Sequence, residues 1–328
     1  MYLPKIKTVS KILIATFIWL LNSCSPLGEP VDTKKSDNHY YNKSKSDIQY
    51  SPMGNWFEIQ NTAMNADVES FEVLSRHLSR DKNRFYFEAY AITNPSFDIN
   101  SVYLKEGDYM SYTAFDKNNV YTFNKEYIDN DTIAYIGIAT IIEKANPLKF
   151  ERTDSQWAKD GTYHFYNDKY IEADYTSFEK INWNFAKDSS LTYVRINDKF
   201  ISFKGDSRTL KTIEDSHNTI DKENVYWISY DDNNKSKLYT ISFTEKNKVF
   251  YLNNFMVIVE NTVYYNGTII ADADAKSFKA LGLHYSKDAK NVYYKNNIIE
   301  NADTNSFKES KGRYEDKNGR YQDGKLED

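Results

Sequence analysis

An aspartate followed five residues later by an aromatic ring recurs seven times in this 328-residue chain, as Asp81…Tyr86, Asp116…Tyr121, Asp160…Phe165, Asp188…Tyr193, Asp221…Tyr226, Asp288…Tyr293 and Asp316…Tyr321. Such a register constrains the fold more than any composition figure. Each copy is one small unit that buries its apolar surface only against its neighbours. The closest spacing is 28 residues, from Asp160 to Asp188 and from Asp288 to Asp316. Between Asp221 and Asp288 the segment Glu245-Lys246-Asn247-Lys248-Val249-Phe250 reads as a degraded copy.

Each unit has a legible anatomy. An aromatic and β-branched run follows the aspartate, then an asparagine-centred pair, then a second apolar run, as in Val292-Tyr293-Tyr294-Lys295-Asn296-Asn297-Ile298-Ile299 and Val263-Tyr264-Tyr265-Asn266-Gly267-Thr268-Ile269-Ile270. Asn and Gly tolerate the positive φ of tight hairpin turns, so these runs predict β-hairpins. Asparagine does the turning in a chain with only 11 glycines and 6 prolines. The leading aspartate fits an Asx-turn onto the backbone two residues on. A second element, Ala66-Asp67-Val68-Glu69-Ser70-Phe71 and its counterparts beginning at Ala173, Ala273 and Ala302, has apolar residues three apart behind an aspartate. That pattern predicts a capped helix of one or two turns. The expected fold is therefore mainly β: tandem units of hairpin plus short capped helix, in an elongated or curled array. A propeller is the alternative, although its blades need about 40–45 residues and four strands.

The Asp-Lys-Asn or Asp-Lys-Glu-Asn runs at Asp81, Asp116, Asp221 and Asp316, the related copy at Asp288, and the Ala-Asp-x-x-Ser-Phe elements together resemble the DKNYY family of bacterial proteins. The resemblance covers roughly 55–328. It implies a repeat architecture and brings no catalytic residue with it.

The first 24 residues read as an address. Lys5, Lys7 and Lys11 precede an uncharged apolar run, Ile12 to Leu21, too short for the roughly 20 residues of a spanning helix. Leu21-Asn22-Ser23-Cys24 resembles the lipobox of bacterial lipoproteins, which implies lipidation of Cys24 and removal of residues 1–23. Ser25, instead of an aspartate, implies the outer membrane by the same resemblance, with the periplasmic face favoured. Residues 24–54, rich in Lys, Ser, Asp and Asn, read as a flexible tether. Residues 55–328 form the repeat domain.

Charge and cysteine content narrow the function. The formal net charge is −5, which argues against a nucleic-acid partner. Cys24 is the single cysteine, so disulfide frameworks and multi-cysteine metal sites are excluded. His77, His217 and His284 each stand four residues before a repeat aspartate, spaced along the repeat and not converging on a metal. Asp129-Asn130-Asp131 and Asp231-Asp232-Asn233-Asn234 lack the glycine and glutamate of a helical calcium loop and read as hairpin tips. No nucleophile elbow, phosphate loop or His-Glu-x-x-His is present, and no cofactor is expected. The 28 tyrosines and 19 phenylalanines divide between two roles. One large ring per unit builds the shared core, whereas Trp157, Trp183 and Trp227 break the register and mark candidate binding positions. The expectation is a non-catalytic, membrane-anchored scaffold for a partner protein, with glycan binding through exposed aromatics as the alternative.

Overall fold

The computed structural model describes residues 27–55, 60–93, 99, 101–105, 112–129, 133–213, 218–230 and 235–327. Its strands form nine antiparallel meanders, numbered here as sheets one to nine: 27–63, 72–91, 113–141, 151–171, 179–203, 211–242, 249–269, 279–298 and 308–326. Eight are four-stranded and the third is three-stranded. The chain divides into two units, 1–153 with 158–160, and 154–157 with 161–328. The mainly β tandem-repeat reading holds.

The repeat aspartate sits between the second and third strands of its sheet, as Asp81 does between Leu78–Arg80 and Phe85–Phe87. Side chains alternate along that third strand. Tyr86 therefore points back to sheet one, packing with Ile48, Tyr50 and Met64, while Phe85 and Phe87 point forward to Tyr121 and Phe123 of sheet three. The second unit repeats the scheme. Tyr226 packs with Phe185 and Val194 of sheet five, and Val225 and Trp227 with Val257 and Val259 of sheet seven. Tyr293 joins sheet seven to eight, and Tyr285, Val292 and Tyr321 join eight to nine. Seven rings at the fifth position are buried, from Tyr86, Phe165, Tyr226 and Tyr293 at 0 % exposure to Tyr321 at 6 %. A buried ring removes about 150–250 Å² from water, so this row is core.

Several expectations are corrected. The 24–54 segment is not a tether from residue 27 onward: Leu27–Pro30, His39–Asn42 and Ile48–Tyr50 pair as strands of sheet one. Four of its apolar residues, Leu27, Tyr40, Ile48 and Tyr50, are buried. Buried Asn38 donates to the carbonyls of Ser51 (2.6 Å) and Pro52 (3.0 Å), so polar composition did not prevent folding. The capped helices are single turns. Asp67, Asp274 and Asp303 each start one, closed by backbone bonds such as Phe307 N–H to the Asp303 carbonyl at 2.9 Å, before the next strand begins. The degraded copy at 245–250 covers the 3-10 turn Lys246–Lys248 and the start of the first strand of sheet seven, where Phe250 is 54 % exposed and is not a ring position. Sheets one and seven belong to the array without the motif.

Hairpin turns follow the asparagine rule at Asn167-Asp168, Asn197-Asp198 and Asn266-Gly267, all with positive φ. In sheet eight the turn falls at Lys295 (φ 57°), one residue before the Asn-Asn pair, and Asn297 pairs with Tyr294 as a strand residue. Cys24, His217, Asn130, Asp131 and Asp231 to Asn234 lie outside the described residues.

Candidate interaction surface

The motif aspartate is a backbone clamp. Asp81 Oδ1 accepts the N–H groups of Asn83 and Arg84 at 2.7 Å each, while Oδ2 accepts the Tyr86 hydroxyl at 2.6 Å and the Asp67 N–H at 3.0 Å. Asp67 belongs to the turn before the sheet, so one carboxylate ties a tight turn, a core ring and the incoming linker. The same four contacts recur at Asp188, Asp221 and Asp288. A second relay accompanies it: Ser70 Oγ donates to Asp67 (2.7 Å) and accepts the Lys82 N–H (3.1 Å). Ser177, Ser277 and Ser306 repeat this.

Electrostatics follow from these bonds. Burial pushes the Asp81 carboxyl up, but the Tyr86 hydroxyl and the N–H groups of Asp67, Asn83 and Arg84 outweigh it and hold it below the usual carboxylate range. Burial first, and the bond to Asp81 second, raise the Tyr86 phenol, which stays a donor. Asp67 is held at about 2 by Lys82 and Ser70. These carboxylates are saturated by donors, and no cluster able to hold a metal ion occurs among the described residues. The clamp is architecture, not chemistry.

Exposed aromatic chemistry gathers instead on the long hairpin of sheet three, Val120–Asp129 and Ile133–Ile141. The short strand Thr113–Phe115 pairs only with Val120 to Thr122, so the hairpin continues past it as two strands. On one face, Tyr121 and Phe123 are buried against sheet two, and the same stripe runs outward through Lys125 to Tyr127, with Gly137 and Tyr135 opposite. Tyr127 is 51 % and Tyr135 40 % exposed. Their rings meet edge-on at 5.6 Å, and Tyr90 approaches Tyr135 at 5.5 Å. Lys125 bonds Glu88 at 2.6 Å and lies about 6 Å over the Tyr90 and Tyr135 rings (6.0 and 5.9 Å). Gly137 is required for this approach, because a Cβ there would stand 2.8 Å from the Tyr90 carbonyl and from Ile92 Cδ1.

The sequence did not single out Tyr90, Tyr127, Tyr135, Lys125 or Glu88. The available signal was the two-residue stripe Tyr121, Phe123, Lys125, Tyr127, which outruns the length of an ordinary unit strand. The three tryptophans are not brought together. Trp227 is buried, its indole N–H donating to Asn266 Oδ1 at 2.9 Å, and Trp157 is buried against Tyr166 and Phe200. Neither presents a face to a ligand. Trp183 alone of the three is open, at 56 %, with Lys180 Nζ 5.2 Å from its ring. His77 and His284 each meet a tyrosine hydroxyl of the preceding sheet, Tyr50 at 3.5 Å and Tyr265 at 2.7 Å, and His164 reaches the Tyr175 carbonyl at 3.1 Å.

The model of the DKNYY family matches residues 41–230 and 205–325. The chain belongs to the DKNYY family. No curated protein and no solved structure matches it. In this DKNYY protein each signature letter has a place. Aspartate is the clamp. Lysine pairs with the aspartate of the preceding turn: Lys82 with Asp67 (2.7 Å), Lys222 with Asp206 (3.2 Å), Lys317 with Asp303 (2.8 Å). These lysines are exposed and such pairs contribute about 0–1 kcal/mol, which is why Ser189 and Ala289 replace them without loss of the clamp. An asparagine three residues after the aspartate supports the ring in two copies, the Asn119 and Asn291 amides standing 3.2 Å from the hydroxyls of Tyr121 and Tyr293, whereas the Asn318 amide donates to the Asn301 carbonyl at 3.0 Å. The first tyrosine is the buried ring, and the second, in Tyr294, donates to Asp323 of the next sheet at 2.8 Å.

Proposed function

We propose that this DKNYY protein is a lipid-anchored, non-catalytic component of the bacterial cell envelope that offers a partner protein the tyrosine-bearing hairpin of sheet three. The observation that carries the reading is the exposed pair Tyr127 and Tyr135, beside half-buried Tyr90 and the Lys125–Glu88 pair. Tyrosine rings are enriched in interface cores, and charged groups such as this pair lie at their polar rims. The clamp carboxylates and the ring rows are consumed by architecture, which supports a structural role for the repeat motif itself. Anchoring rests on the basic, then apolar, start and on Cys24, and Ser25 favours the outer membrane.

Two measurements test it. Cys24→Ser releases the protein into the soluble fraction, and persistence in membranes refutes the anchor. Crosslinking in intact cells yields an adduct that Tyr127→Ala with Tyr135→Ala removes while membrane retention is unchanged; an adduct indifferent to both changes refutes the surface. A glycan-binding reading is favoured by one observation, the exposed indole of Trp183, since such a face stacks on sugar rings. Glycan-array binding lost with Trp183→Ala would select that reading over the first.

A further inference from the structure

The forward-facing positions of the units show where a second site lies. Counted from the repeat aspartate, residues −3, +4 and +6 face the next sheet. They are Leu78, Phe85 and Phe87 in sheet two, Phe185, Thr192 and Val194 in sheet five, and Tyr285, Val292 and Tyr294 in sheet eight. In sheet nine the same positions are Arg313, Arg320 and Gln322, all exposed. Neither guanidinium has an ion pair or side-chain hydrogen bond among the described residues.

A cavity of about 500 Å³ opens there, lined by Arg313, Arg320, Gln322 and Glu327 together with Tyr285 and Tyr314. Behind this arginine face the sheet is held rigid, because the Tyr285 and Tyr314 rings of the core stack at 3.9 Å with 19° between planes. Asp323, also lining the cavity, is committed to the Tyr294 hydroxyl, and the neighbouring Gly324 N–H donates to the Tyr285 hydroxyl at 2.9 Å. The turn is thereby fixed and that carboxylate engaged. What stays open is two guanidiniums, an amide and the Glu327 carboxylate. Guanidinium matches a carboxylate through paired N–H donors, Glu327 accepts from a hydroxyl or ammonium, and the volume is that of a small-ligand site.

The geometry points to a binding site for a small carboxylate that also carries hydrogen-bond donors, from an acidic sugar or the end of a peptide. The site stands independently of the proposed anchoring and hairpin surface. A polar outer face serves solubility in repeat arrays, and that is the competing outcome.

Heteronuclear NMR titration of the full chain separates the two. The probes are galacturonate, glycylglycine, and their uncharged counterparts galactose and glycylglycine amide. Saturable shifts at residues 312–327 with a carboxylate probe, absent with its counterpart, are expected, and whichever acid binds identifies the source. Arg313→Gln and Arg320→Gln each weaken that binding about tenfold or more. Lys311→Gln, an equal loss of charge outside the cavity, leaves it unchanged. Equal binding of acid and neutral counterpart, no saturable shift at millimolar probe, or indifference to both arginine changes overturns the site and leaves a solubilising face only.

Discussion

At the scale of single residues, the clamp makes unequal demands on its partners. Asp288 receives two N–H groups on Oδ1, and the Asp274 N–H and Tyr293 hydroxyl on Oδ2. Asp288→Asn aims an amide donor at one of these donor pairs as well as removing the charge. We expect a loss of about 2–4 kcal/mol in denaturant unfolding. Tyr293→Phe keeps the ring and loses one charged hydrogen bond, about 1–2 kcal/mol; Phe165 shows that the ring fits without its hydroxyl. His39 behaves differently with pH. Burial first, then the charge of His77, lowers it from the ordinary 6.5 to about 3. Its Nδ1 meets Ser36 Oγ at 3.1 Å, and its Nε2 has no partner among the described residues, so the fold holds the neutral ring. Between those pH values the folded chain binds fewer protons than the unfolded one. Stability is therefore fullest above pH 6.5 and falls on acidification, by at most about 1.4 kcal/mol per pH unit. The clamp carboxylates, also lowered, add a further loss as pH falls through their folded values. Melting temperatures against pH should show both phases, and His39→Gln should reduce the upper one alone, to which His77 and His284, also lowered by burial, still contribute.

At the scale of strands and turns, adjoining sheets are stitched at their hairpins. Asn266, at the turn of sheet seven, accepts the Trp227 indole N–H of sheet six and donates to Ser229 Oγ at 2.7 Å. Asn197 of sheet five is bonded to Ser236 of sheet six in the same way, its N–H to Ser236 Oγ at 2.7 Å. Asn266→Ala leaves a buried donor unsatisfied and should cost about 1–3 kcal/mol, read as faster amide exchange at 225–228 and 256–265. This level was half legible in advance. The turn asparagines, the Asx-turns and the buried ring row follow from residue type and spacing alone. Helix expectations overreached because an aspartate cap with Ser at its third position equally satisfies a lone turn, and the carboxylate that accepts the turn's first N–H comes from a segment 14 residues away. Several outer strands, such as Glu72–Val73 and Lys279–Ala280, are two residues long, below any periodicity signal. The tyrosine surface was hidden for a related reason: Tyr90 and Glu88 reach Tyr135 and Lys125 only through tertiary packing.

At the scale of the whole chain, the buried clusters among the described residues each join two sheets adjacent in sequence, one to three in the first unit and four to nine beyond it, so stability is a sum of local terms. The damage from Asp288→Asn should therefore stay local. Hydrogen exchange should rise in sheets seven to nine, 249–326, and remain at the wild-type level in 27–91; uniform acceleration across the chain would show instead that the array melts as one. A joint of this kind carries a consequence for how such a chain grows. Because the clamp seizes peptide N–H groups, which every residue but proline supplies, this part of the joint asks for no particular side chain, and what a preceding copy must bring is an apolar face for the ring. A duplicated segment is compatible with its new neighbour at birth, so the number of copies is free to drift among descendants while each joint stays intact.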